Sequence, residues 1–159
     1  MTDAQRSAYA EAVELHSAAV HRLAMVYLRD PQEAQDCCQD VFIRLMEHKR
    51  GFESEAHRKS WLLAVAKNLC RDRLRGAARR YTDPFGGAEC LQDPQGGDEE
   101  LLALVLALPA NDREVLYLHY YEGYAVRELC ALLRLRESAV KQRLSRARLR
   151  LRVLLDEAA

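Results

Sequence analysis

Residues 125–155 read AVRELCALLRLRESAVKQRLSRARLRLRVLL. The stretch divides into a short helix over 125–133, a tight connection and a long helix over 138–155. Val140, Leu144, Ala147, Leu151 and Leu154 recur at helical spacing, which gathers them on one face, against a core. From Arg134 to Arg152 stand eight Lys/Arg and a single acid, Glu137. A merely solvated helix of this charge would repel itself, because acids one turn away are missing. Away from the apolar stripe lie Ser138, Lys141, Gln142 and Ser145, side chains that hydrogen-bond base edges. Arg143 and Arg146 flank them as phosphate contacts, and Arg136 precedes the helix as a further candidate DNA contact. A helix fixed on one side and reading on the other is the second helix of a helix-turn-helix, so these seven residues are the candidate duplex-DNA contacts.

The chain around this stretch has 159 residues, enough for one ordinary domain or two small ones. Its formal net charge is zero, but the charge is blocked. Residues 1–56 hold six Lys/Arg and ten Asp/Glu; 57–80 hold eight and one; 81–133 hold two and ten; 134–159 hold eight and three. Two basic blocks predict two places that touch polyanion, and the acidic blocks predict protein-facing or shielding surfaces. Apolar runs fall short of the ~20 residues that span a bilayer, and residues 1–12 show no signal pattern. No membrane insertion and a cytoplasmic location are therefore expected. The five cysteines, Cys37, Cys38, Cys70, Cys90 and Cys130, form no CxxC or Cys/His metal spacing. No metal or cofactor is expected, and Cys70 and Cys130 are expected as small buried residues.

Every predicted element is helical, giving an all-α fold. Helices are expected over 7–28, 31–48, 58–75, 98–108, 111–121, 125–133 and 138–155. Asp30-Pro31-Gln32-Glu33 opens the second with a capping residue and a proline in the first turn. Its inward stripe is Ala34, Cys38, Val41 and Leu45, with Cys37 and Phe42 beside it; Asp36, Gln39, Asp40 and Arg44 point outward. In the third, Trp61, Leu62, Val65 and Leu69 form the expected buried stripe, with Lys67, Arg71 and Arg75 in a row on another face beside Asn68. Phe52, a lone aromatic in a polar loop, either folds back onto the core or stacks on an unpaired base. Residues 77–97, with two prolines and four glycines, read as a flexible linker. Asn111-Asp112-Arg113-Glu114 reads as a capping box, and Gly123 as a helix stop. The expected domains are 1–80 and 98–159, joined by the linker 81–97.

Three motifs in this order resemble the extracytoplasmic-function group of bacterial sigma factors. Asp36-Cys37-Cys38-Gln39-Asp40-Val41-Phe42 is similar to the segment of that family that docks on core RNA polymerase. The resemblance implies that Asp36, Gln39, Asp40, Phe42 and Arg44 bind polymerase. Residues 60–75, SWLLAVAKNLCRDRLR, are similar to the helix that contacts the −10 promoter element. They imply −10 DNA contacts at Trp61, Lys67, Asn68, Arg71, Asp72 and Arg75, with Phe52 in the preceding loop. Leu108-Pro109, Arg113-Glu114-Val115-Leu116, Glu128-Leu129 and residues 140–147 are similar to the domain that reads the −35 element. Arg134 departs from the family's turn glycine, Arg136 from its serine cap, Ser138-Ala139 from Gly-Thr, and Met46 from a common Trp.

The resemblance implies a factor that binds core polymerase and promoter DNA, reads −35 duplex, captures the melted −10 strand and is itself held by an anti-sigma protein. Leu149, facing outward on the basic helix, is a weak hint of that last contact. The rival reading, a helix-turn-helix regulator that never docks on polymerase, explains residues 98–155 but leaves residues 36–45 and 60–75 as coincidence. An enzyme is not expected: the five histidines are scattered and no nucleophile elbow or phosphate loop is present.

Overall fold

The structure is a computed structural model and describes residues 2–77 and 99–158. The chain forms two compact units, Met1–Arg80 and Tyr81–Ala159, and all regular structure among the described residues is helical. The expected linker lies outside the described residues apart from Ala77, and so does Cys90.

The first unit contains α1 (Asp3–Leu28), α2 (Pro31–Glu47) and α3 (Glu55–Ala77). A Thr2–Gln5 capping box opens α1, and Asp30 accepts the amides of Gln32 and Glu33 to open α2. Each device satisfies amides that a helix start leaves without partners. Arg29, left-handed at φ 56°, turns the chain between the two helices. The three helices pack mutually, burying Val20, Leu23, Met25, Val26 and Tyr27 of α1 against Cys37, Val41, Phe42 and Leu45 of α2 and Leu62, Leu63, Ala66 and Cys70 of α3.

Two expectations shift here. The buried stripe of α3 is Leu62, Leu63, Ala66 and Cys70, whereas Trp61, Val65 and Leu69 are half-buried. Residues 61–66, WLLAVA, are apolar throughout, so spacing alone gives the stripe no phase. In α2, Cys37 is the deeper cysteine and Cys38 is half-buried.

The second unit contains α4 (Glu99–Leu106), α5 (Ala110–Leu116), α6 (Val126–Leu133) and α7 (Glu137–Ala158). The 111–114 capping box is not formed. Pro109 precedes the first turn of α5 and supplies no side-chain cap, so Asp112, Arg113 and Glu114 fall inside the helix and are buried. Beyond Leu116 the coil widens into a π-helical turn, Tyr117–Tyr121. Glu122 N donates to Tyr117 O at 3.1 Å, five residues back. The Tyr117 and Tyr121 rings stack 5.1 Å apart, and Tyr117 Oη donates to Glu122 Oε1 at 2.7 Å. Gly123, at φ 80°, ends the segment in the left-handed conformation that a side chain would disfavour.

Candidate nucleic-acid interface

The α6–α7 corner is built by a strained turn. Ala125 has no acceptor side chain, so α6 begins with half a capping box, in which Ala125 N donates to Glu128 Oε1 at 2.9 Å. The helix ends at Arg134, which adopts φ 55°, ψ 49°. A left-handed arginine costs ~1–2 kcal/mol. In return, Leu135 N bonds Cys130 O at 3.1 Å, closing the last turn. Leu129, Leu132 and Leu133 of α6 and Val140, Leu144 and Ala147 of α7 are buried. Leu151 and Leu154, expected in the same stripe, are only half-buried, as is Cys130. Arg136 stands just before α7, its carbonyl accepting from Val140 N at 3.0 Å.

With that face fixed, Arg136, Ser138, Lys141, Gln142, Ser145 and Arg146 are all exposed. They offer hydroxyl, amide and cationic groups along two turns of one helix. Lys141 makes an i,i+4 pair with Glu137 at 2.9 Å, a contact weak enough to exchange for phosphate.

Arg143 does not join this set as a free cation. Its Nη1 lies 3.1 Å from Oε1 of Glu114, which is fully buried. Farther along α7, Arg150 Nη1 lies 2.8 Å from Oδ2 of the buried Asp112. These pairs tie the rear of α7 to α5. Removing Arg150 would take from the buried Asp112 its charge partner, and an uncompensated buried carboxylate costs ~3–5 kcal/mol. Arg148 packs over the exposed Tyr120 ring, 5.5 Å from its centre, and its Nε donates to the hydroxyl. The basic block is therefore divided between an exposed polar face and anchors, a division that charge counting missed. No clear signal in the sequence marked the buried acids: α5 reads ANDREVL, polar at four of seven positions, so Asp112 and Glu114 look like surface residues until α7 packs on them.

In the first unit, α3 places Asn68, Asp72 and Arg75 on the surface. Arg75 donates to Asp72 one turn back, an exposed pair that solvent screens. The expected row of three cations is not reproduced. Lys67 is only 6 % exposed, and Arg71 is half-buried, its guanidinium 6.0 Å from the centre of the buried Tyr27 ring. Arg71 lies inward where α3 packs on α1. Of the three, Arg75 is the exposed one.

Phe52 folds back rather than projecting. Its ring stacks on His48 at 5.0 Å and meets Trp61 at 5.6 Å and His57 at 5.4 Å. His48 and Trp61 are 4.5 Å apart. The result is a half-exposed aromatic shelf at the start of α3, with Phe52 and Trp61 both contributing surface. Nearby, His16 Nε2 and Glu55 Oε2 lie 2.7 Å apart, joining α1 to α3. That hydrogen bond, with help from Arg58, holds the Glu55 carboxyl below the usual carboxylate range.

On α2, Gln39 and Arg44 are exposed and Asp36 and Asp40 partly so. Gln32 Nε2 donates to Asp36 at 3.1 Å, and Arg73 of α3 pairs with Asp40 at 3.1 Å. Phe42 is 6 % exposed; it is buried beneath this face and offers a partner little surface. The sequence reading missed Ile43 and Met46, which are 50 % and 51 % exposed. Ile43 follows Asp36, Gln39 and Asp40 at one-turn steps, so helical spacing could have placed it on the same polar face.

Comparison with known proteins bears on both units. Sigma-70 region 2 matches residues 12–80, and Sigma-70 region 4 matches residues 98–151. The ECF RNA polymerase sigma factor SigM of Mycobacterium tuberculosis is 30% identical over 153 residues, which cover 94% of this chain and 78% of the relative. Among solved structures, CnrH in complex with the cytosolic domain of CnrY is similar at TM-score 0.67 and 27% identity, covering 97% of this chain and 91% of that one. The sigma factor RpoE in complex with the anti-sigma factor NepR from Bartonella quintana shares the fold at TM-score 0.73 and 20% identity, covering 93% and 96%.

Proposed function

The chain belongs to the extracytoplasmic-function sigma factors of RNA polymerase, and from that premise we propose how its two units divide promoter recognition. It is a transcription initiation factor rather than an enzyme: it binds core polymerase and directs it to promoters. It reads −35 duplex DNA and captures the melted −10 strand.

Residues 1–80 dock on polymerase through the face of α2 that carries Asp36, Gln39, Asp40 and Arg44, with Ile43 and Met46 adding apolar area. Acidic and amide groups suit a basic partner surface, and two exposed aliphatics suit a mixed one. The same unit holds the separated −10 strand. Phe52 and Trp61 offer a stacking surface, Asn68 a base-edge hydrogen bond and Arg75 a phosphate contact. Stacking is worth ~1–3 kcal/mol per base, comparable with the few kcal/mol that opening a base pair costs. Residues 98–159 lay the start of α7 in the major groove. Ser138, Gln142 and Ser145 meet base edges, and Arg136, Lys141 and Arg146 meet phosphates. The chain between the units lets both sites engage at a spacing set by the promoter, gaining affinity through effective concentration.

The observation that carries this reading is the pairing of a buried Val140–Leu144–Ala147 stripe with an exposed polar face on one helix. The stripe fixes which side chains can reach DNA. The work takes place in the cytoplasm, with the polymerase. Among the described residues, no helix is long and apolar enough to cross a membrane. An anti-sigma protein completes the partner set. Leu149, 63 % exposed, and Val153, 49 % exposed, give α7 an apolar edge for it, one turn apart.

The test is run-off transcription with core polymerase and genomic DNA, followed by mapping of start sites. Start sites sharing −35 and −10 elements are expected. Failure to join core polymerase, or start sites with no shared elements, would remove the proposal.

A further inference from the structure

Beneath the outward face of α2 lies a pair of groups that promoter recognition does not use. Cys37 of α2 and Cys70 of α3 are fully buried, with Sγ atoms 3.3 Å apart. One turn on, Asp40 of α2 pairs with Arg73 of α3, so the contacts run in step along the two helices. From this geometry we infer that Cys37 and Cys70 form an oxidation site, a dithiol that a peroxide converts to an intramolecular disulfide fastening α2 to α3. A disulfide needs sulfurs at ~2.05 Å, so the approach still required is little more than ~1 Å and lies within side-chain adjustment.

The surroundings give the two sulfurs different roles. The hydrogen bond between the two thiols, aided by Arg73, holds the Cys37 thiol below its ordinary range despite burial. Cys70 is pushed up by the same hydrogen bond and by burial. Cys37 is thus the nucleophile and Cys70 the resolving thiol. Cys38 is pushed up to about 11 by burial and by its neighbour Cys37, so it stays a thiol.

The chemistry closes in two steps. The Cys37 thiolate attacks one peroxide oxygen, breaking the O–O bond; with one proton taken up, this gives a sulfenic acid and water. The Cys70 sulfur then attacks Cys37 Sγ, forming the S–S bond and releasing the hydroxyl with the Cys70 proton as a second water. The two thiols lose two electrons and the peroxide gains them. Because 33 residues separate the cysteines, the bond closes a long loop and restricts the unfolded chain more than the folded one.

The test uses the full chain with Cys38→Ser and Cys90→Ser, treated with hydrogen peroxide while folded and digested with trypsin. Cys37 then lies in peptide 30–44 and Cys70 in peptide 68–71. A cross-linked 30–44/68–71 pair is expected. The unfolding midpoint of the first unit should rise by about 10 °C and fall back on adding dithiothreitol. Adding Cys70→Ser should abolish both signals. Because that change alters a buried site, circular dichroism must first show native helix content; if it does not, the parent variant carries the test alone. The inference is overturned if the folded parent gives no such peptide pair, if the link runs through Cys130, or if the link forms without a reversible rise in midpoint.

Discussion

The two units treat their arginines and lysines in opposite ways. In α7 the cations divide by face: Lys141 and Arg146 point outward, while Arg143 and Arg150 reach back to the buried Glu114 and Asp112 of α5. In α3 the division runs along one row: Lys67 is drawn inward, Arg71 packs toward the Tyr27 ring and Arg75 stays outside. Both units join helices by charge as well as by apolar packing: the first through Arg73–Asp40 and His16–Glu55, whose carboxylates stay about half exposed, the second through the buried carboxylates of Asp112 and Glu114. Cation counts along a helix therefore overstate contacts with nucleic acid, because the same residue type also serves as an anchor.

The most severe way to break this contrast is Glu114→Ala. It deletes a fully buried side chain that ties α5 to α7 and should cost the second unit about 3 kcal/mol, a large fraction of the stability of so small a domain. Trp61, the chain's one tryptophan, reports the first unit alone, so denaturant unfolding by tryptophan fluorescence should stay in place while helix content falls early. Equal shifts in both probes would refute the separation of the two units.

Next in size is Asn68→Ala. Loss of one base-edge contact should lower open-complex formation roughly tenfold while binding to core polymerase is unchanged. An equal fall in core binding would show that α3 serves docking rather than the −10 strand.

Arg146→Ala and Arg143→Ala sharpen the comparison within one helix. The first should reduce the slope of log affinity against log salt by about 0.9 without altering stability. The second should lower stability and leave the slope nearly intact. The reverse pattern in salt titrations and melting curves would exchange their roles.

The smallest effect belongs to Glu55→Gln. Its carboxylate is held below the usual range by His16 and Arg58, so the stabilisation is present above the ordinary glutamate pKa and lost as pH falls through the depressed value. Being exposed and screened, the contact should be worth less than about 1 kcal/mol. A destabilisation that persists at low pH would trace to something other than the charge.

Much of the fold was legible because apolar spacing and caps agree. Asp30-Pro31 opens α2, Gly123 stops the coil, and Val140, Leu144 and Ala147 define the inward side of α7. Arg134 could be read only as strain or a different turn; it is strain. The α3 stripe was misphased because residues 61–66 are apolar at every position. The 111–114 box failed because α5 already begins at Ala110, behind Pro109, so Asn111 lies inside the first turn instead of capping it. At the candidate site, Ser138, Gln142, Ser145 and Asn68 are exposed where spacing put them. Lys67, Phe42 and Arg143 are not free, because burial depends on neighbouring helices that one-dimensional spacing does not see.

The widened coil at Tyr117–Tyr121 has a geometric corollary. A π turn holds one residue more than regular winding needs, and that surplus sets the direction in which the chain leaves toward α6. Deleting any single residue there would restore ordinary pitch. It would also swing the helices that follow by about 100°, so the exposed polar side of α7 would point elsewhere with its chemistry unchanged. Aim, and not only composition, is written into that one surplus amino acid.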